Sequence, residues 1–198
     1  MADSLYLSLW FPNFAADEML PRTLAVLKQF PYSTQFPGIG HVEVHPVGWD
    51  QPSIFEETFD YRAEPERVIE LAAEFLHEDY AYEFEALWDL WTPSEERPKV
   101  WIDRPQRVSF VAQGLSFDEG SYRENGHVLV DCGLDTPFLF EDIPLTSQAE
   151  AKVKANVQKL VGFTSAVEKD CGISGRLLWS ESEENLAQKL IARLQRVQ

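Results

Sequence analysis

Tyr80 to Trp91 alternates with a period of two, and no other segment constrains the fold as tightly. Tyr80, Tyr82, Phe84, Ala86, Trp88 and Leu90 fall on one side of an extended chain. Ala81, Glu83, Glu85, Leu87, Asp89 and Trp91 fall on the other. Successive side chains of a strand point to opposite faces, so the pattern predicts a long strand with one apolar face.

That strand closes a series. Leu5–Phe11 reads as a strand, with Leu5, Leu7, Leu9 and Phe11 on one side. A helix follows, with Leu20, Leu24 and Leu27 at helical spacing and Pro21 expected in its first turn. His41–Val47 and Ser53–Tyr61 read as two more strands. Glu64-Pro65-Glu66 opens a second helix whose apolar face is Val68, Ile69, Ala72, Phe75 and Leu76. Strand, helix, strand, strand, helix, strand is the order of a ferredoxin-like unit, so the predicted class is α+β.

The turn-rich stretch Thr92–Pro98 is the natural boundary. Residues 1–92 then form the ferredoxin-like βαββαβ unit and residues 99–198 a second α+β unit. Strands are expected at 100–102, 107–117 and 127–134, with a further short one at 138–140. Asp118–Gly126 reads as a loop. Ser147-Gln-Ala-Glu150 and Ser180-Glu-Ser-Glu183 read as capping boxes. The first opens a helix with Val153, Val157, Leu160, Val161, Thr164 and Val167 on one face. The second opens an extra C-terminal helix with Leu186, Leu190, Ile191, Leu194 and Val197 in a stripe. The second half is thus expected to be a degenerate ferredoxin-like copy that adjoins or shares the first sheet.

Charge narrows the function classes. The 198 residues carry a formal net charge of −16, and basic residues outnumber acidic ones only after Ala151. An acidic surface repels phosphate backbones and anionic headgroups, which argues against nucleic-acid and membrane binding. No apolar run approaches a membrane span, and Met-Ala-Asp-Ser lacks the basic start of a signal peptide. Two cysteines, Cys132 and Cys171, make no disulfide framework. These features point to a cytoplasmic protein with reduced, buried thiols.

His41-Val-Glu-Val-His45 is the one ligand-like spacing. On a strand His41, Glu43 and His45 share a face, and two imidazoles with a carboxylate can hold zinc or iron. The competing reading is the solvated face of an amphipathic strand. Glu83, Glu85 and Asp89 share the second face of the long strand and read as a solvated or partner-facing surface. His127 and Cys132 lie five apart, which puts them on opposite faces of a regular strand and speaks against a local Cys–His pair. Gly133-Leu-Asp-Thr-Pro137 is a strand-end turn. Gly38-Ile-Gly40 is too short for a phosphate loop, and no motif asks for an organic cofactor.

The expectation is a non-catalytic binding or interaction protein that uses its sheet surface to hold a partner, a second copy of the chain included. One alternative is a metal-dependent small-molecule enzyme built on His41, Glu43 and His45. The other is an acidic inhibitor, or decoy, of a basic nucleic-acid-binding protein.

Overall fold

The computed structural model describes residues 3–97, 99–140, 145–181 and 186–195. The α+β class is borne out by one seven-stranded antiparallel sheet and six helices. Strand β1 (Ser4–Trp10) leads to helix α1 (Ala16–Gln29). Strands β2 (Ile39–Pro46) and β3 (Phe55–Ala63), helix α2 (Pro65–Ala73) and strand β4 (Tyr80–Pro93) follow. Then come β5 (Trp101–Gln113), a 3-10 turn (Phe117–Gly120), α3 (Tyr122–Asn125), β6 (Val128–Leu134) and α4 (Thr136–Leu139). The long helix α5 (Ser147–Asp170), β7 (Gly175–Ser180) and α6 (Leu186–Gln195) complete the described chain.

The strand order is β3-β2-β4-β5-β6-β1-β7. Residues 4–93 have the element order of a ferredoxin-like unit, but the unit is not closed on itself. The cause is the hairpin that follows β4. β5 pairs with β4 from Ala81↔Gln113 to Pro93↔Trp101, while β2 holds the other edge. β1 therefore has no edge left on β4, and it pairs with β6 and β7 instead. Strands from both halves make one sheet, and the expected boundary falls between β4 and β5, where the Ser94 N–H donates to the Val100 carbonyl at 2.8 Å.

One face of the sheet carries the core. Leu5, Leu7, Leu9, Val42, Val44, Phe84, Trp88 and Phe110 are fully buried. Against them pack Met19, Leu20, Val26 and Leu27 of α1, Val68 and Ala72 of α2, and Val157, Leu160, Phe163 and Val167 of α5. The period of two in the strands and the 3.6-residue period in the helices bring these side chains to one layer. Burial of this kind is worth about 25 cal/mol for each Å² of apolar surface removed from water. On the opposite face, among the described residues, lies a small apolar cluster of Ala81, Val111 and Phe117, with Leu129 packed on it.

Several local expectations change. α1 starts at Ala16, so Pro21 lies inside it rather than in its first turn. The strands expected at 100–102 and 107–117 are one continuous β5 that runs through Pro105. Pro105 lies opposite Asp89, and β6 joins β5 only from Ser109 onward, so a proline without an N–H is tolerated there. The strand expected at 138–140 is the helical turn α4, which Phe140 ends in the left-handed region (φ 40°). Thr136-Pro137 favours this outcome, since proline suits a first helical turn. Part of the expected loop Asp118–Gly126 is helical, as α3. α5 is capped by Thr146, whose hydroxyl accepts from the Ala149 N–H, one residue before the expected Ser147 box. The box at Ser180–Glu183 extends outside the described residues.

Candidate functional site

Helices cover one side of the sheet, and the other side collects the ionisable groups. Cross-strand registers build two rows on it. One runs Thr58–His41–Glu85–Ser109–Asp131–Tyr6–Trp179 from β3 to β7. The next runs Glu56–Glu43–Glu83–Val111–Leu129–Ser8–Leu177. Three carboxylates thus stand in direct register, an arrangement that like charges disfavour.

His41, Glu43 and His45 share this face, as the period of two requires. The structure then separates them. His41 turns toward β3, with Nδ1 3.2 Å from the Thr58 hydroxyl and Nε2 3.8 Å from both Glu43 and Glu56. His45 turns toward β4, with Nε2 3.6 Å from Glu43 Oε2 and 4.0 Å from Glu83 Oε2. The group whose donor atoms all lie within 4.8 Å of one another is Glu43, His45 and Glu83. Trp49 packs on the His45 ring at 4.8 Å and on Phe117 at 5.0 Å, which closes that end of the face. His45 Nε2 is sealed from solvent and has no hydrogen-bond partner.

Beside this group lies a second network. Arg107 Nε is 2.6 Å from Glu85 Oε2, and its Nη2 is 3.8 Å from Glu83 Oε1. The Ser109 hydroxyl donates to Glu83 Oε1 at 2.7 Å. The Tyr61 hydroxyl donates to Glu85. Burial, with Glu85 beside it, pushes the Tyr61 phenol up to about 12. Tyr61 reaches Glu85 across β2 because Gly40 lies beneath its ring. A Cβ at position 40 would sit 2.1 Å from a ring carbon. Register shifts at Ile39/His41 in both of β2's pairings, together with a left-handed Tyr61 (φ 54°), aim the ring this way.

Not every expected surface group belongs here. Asp89 accepts from the Thr34 N–H at 2.9 Å and the Thr34 hydroxyl at 3.0 Å, so it anchors a loop. Burial alone would raise its carboxyl, but hydrogen bonds from Ser33 and Thr34 and the Lys159 charge hold it below the usual range. Cys132 and Cys171 are free and buried; burial pushes the Cys132 thiol far up and the Cys171 thiol up to about 11. Such thiols are poor nucleophiles. The tryptophans lie in different settings: Trp88 is core, Trp49 is exposed beside His45, and Trp179 stacks on Tyr6 at the β7 edge.

His127 is structural. Its Nδ1 accepts the Phe11 N–H at 2.9 Å, and its ring stacks on Phe14 and Tyr122, each at 4.7 Å. Burial lowers its pKa. An unfolded histidine takes up a proton near pH 6.5, whereas the folded one resists it. The stability His127 contributes is therefore complete above about pH 6.5 and is lost as pH falls below it toward the lowered value. Urea midpoints of wild type and His127→Gln between pH 7.5 and 5 should converge as pH falls. Parallel curves would remove His127 from the pH response.

Glu83 is the member of the donor group that sequence reasoning placed elsewhere, with Glu85 and Asp89. Its alternation showed the right face, but its position opposite Glu43 depends on strand order. Tyr61 and Arg107 left no signal at all. No helix among the described residues is long and apolar enough to cross a membrane. The chain matches no protein-family model, no curated protein and no solved structure.

Proposed function

We propose that this chain is a binding protein whose working surface is the uncovered face of the sheet, and that it holds a divalent metal ion there on Glu43, His45 and Glu83. The observation that carries the reading is His45 Nε2, which is enclosed, lacks a hydrogen-bond partner and faces two carboxylates. An unsatisfied buried nitrogen costs about 1–3 kcal/mol, and carboxylates in register repel. One cation at their centre relieves both. Zinc with bonds of about 2.0–2.2 Å places neighbouring donors about 3.4 Å apart. The observed 3.6 and 4.0 Å are within a small side-chain rotation of that spacing.

One imidazole and two carboxylates suit zinc, manganese or iron(II). Three protein donors also leave a position for water or a small ligand. That open position favours the second reading, a metal-dependent reaction on a small molecule. The inhibitor reading has less support, because exposed acids such as Glu66 and Glu70 of α2 lie away from this face.

The test is metal analysis by mass spectrometry on untagged, natively purified protein. About one equivalent is expected in wild type and in His41→Ala, and a large loss in His45→Ala and Glu83→Gln. The proposal fails if wild type neither contains metal nor takes up added zinc or manganese, or if all variants retain it equally.

A further inference from the structure

A second feature lies where β5 and β6 part; Arg107 borders it and, on the other face, reaches Glu83 and Glu85. β5 and β6 are paired only from Ser109↔Asp131 to Ala112↔Val128. Beyond Ser109, β5 continues toward Trp101 on β4 alone, while β6 runs on to Leu134 beside β1. Gly133, at φ 79°, lies at the divergence. The strands part and leave a cleft of about 290 Å³. That volume is near the small end of ligand pockets, about 300–1,000 Å³.

Leu90, Pro137 and Phe140 supply apolar wall, and Thr92, Arg104 and Gln106 supply polar groups. Leu90 faces Arg104 across the β4–β5 ladder, and Thr92 is the diagonal neighbour of Arg104. Thr92 is only 7% exposed, and its hydroxyl is enclosed without a hydrogen-bond partner. Arg104 Nε is likewise enclosed and donates to nothing. Both donors lack a partner at the wall of one cleft, and a side-chain rotation toward it gives each an acceptor.

We infer that this cleft binds a small amphipathic monocarboxylate, its carboxylate on Arg104 and Thr92 and its hydrocarbon body against Leu90, Pro137 and Phe140. A guanidinium fork matches the two oxygens of a carboxylate. Arg104 Nη1 already lies 3.3 Å from Glu95 Oε1, so part of its charge is balanced. The residual charge suits one negative charge better than the two of a phosphate monoester. Cys132 also borders the cleft, and its burial keeps the thiol protonated, so it serves as wall.

The test is calorimetric titration with octanoate, with octanol as the uncharged control. Octanoate should saturate one site. Its affinity should fall about tenfold or more in Arg104→Gln and severalfold in Thr92→Val, as expected for lost hydrogen bonds to a charged group. Octanol should bind about tenfold more weakly than octanoate in wild type. Circular dichroism checks that each variant folds. If Arg104→Gln does not fold, Arg104→Lys and Thr92→Val decide the matter, and both should weaken octanoate. His45→Ala should bind octanoate as wild type does, which separates this site from the metal group. No saturation by octanoate, equal binding of octanol, or unchanged affinity in the folded variants overturns the inference.

Discussion

Trp88→Ala should lose about 3–5 kcal/mol of stability, measured as a shift of the guanidinium unfolding midpoint at unchanged slope. Trp88 lies at the centre of β4 with none of its surface exposed. Its ring packs 5.6 Å from Phe30, after α1, and 5.7 Å from Phe138 of α4. Removing it opens the largest hole a single truncation can make in this layer. A typical domain has only about 5–15 kcal/mol in total, so the variant should be partly unfolded at body temperature. Trp88→Phe separates volume from chemistry. The indole N–H is enclosed without a partner, so phenylalanine removes an unsatisfied donor while keeping most of the contact. Its loss should stay below about 1.5 kcal/mol. A Trp88→Ala loss under about 1 kcal/mol would mean that the helices do not cover this part of the sheet.

Asn156→Leu should cost a similar amount, about 4 kcal/mol, for a different reason. Asn156 is 1% exposed on α5. Its Oδ1 accepts the Trp91 N–H at 2.9 Å, and its Nδ2 donates to the carbonyls of Trp91 and Pro137, both at 2.8 Å. One amide thus joins helix α5, strand β4 and α4. Leucine keeps the bulk and leaves three backbone groups without a partner. Asn156→Asp keeps the acceptor for Trp91 but turns a carboxylate oxygen toward two carbonyls. Its carboxyl should therefore have a raised pKa in the folded state. The stability it contributes is then fullest below the unfolded value near 3.9 and is lost as pH rises through the raised one. The deficit of Asn156→Asp relative to wild type should shrink as pH falls toward 4. A deficit that is flat with pH, or an Asn156→Leu loss under about 1 kcal/mol, would remove the amide bridge from the account.

The parts of this fold that can be read from the chain are those encoded by nearby residues. The alternation from Tyr80 to Trp91 is visible because the apolar and charged faces contrast at every step. The stripe Val153–Val157–Leu160–Val167 is visible because a helix repeats it on one side. Asn156 sits in that stripe, three residues after Val153 and four before Leu160, so a polar residue on the buried face is visible, but no nearby residue shows that its partners lie on β4 and α4. The expected gap between 102 and 107 closes because Pro105, which lacks an N–H, lies where β6 has not yet joined β5.

The candidate site divides in the same way. Strand periodicity places His41, Glu43 and His45 on one face. The exchange of His41 for Glu83 follows from pairing between β2 and β4, some forty residues apart, which no local pattern contains. Tyr61 enters because of bulges, and bulges depend on both strands of a pair.

The position of β1 governs the order in which the molecule can be completed during synthesis. Strands β2 to β5 can form their ladders once residue 113 has left the ribosome. β1 must wait for partners far along the chain, β6 and then β7: the Trp179 indole reaches the Ser8 hydroxyl across 171 residues. At translation rates of about 5–20 residues per second, Leu7 and Leu9 wait roughly six to twenty-five seconds for β6 and about eight to thirty-five for β7. That interval exposes an apolar strand to other nascent chains until β6 covers one of its edges, and β7 then covers the other.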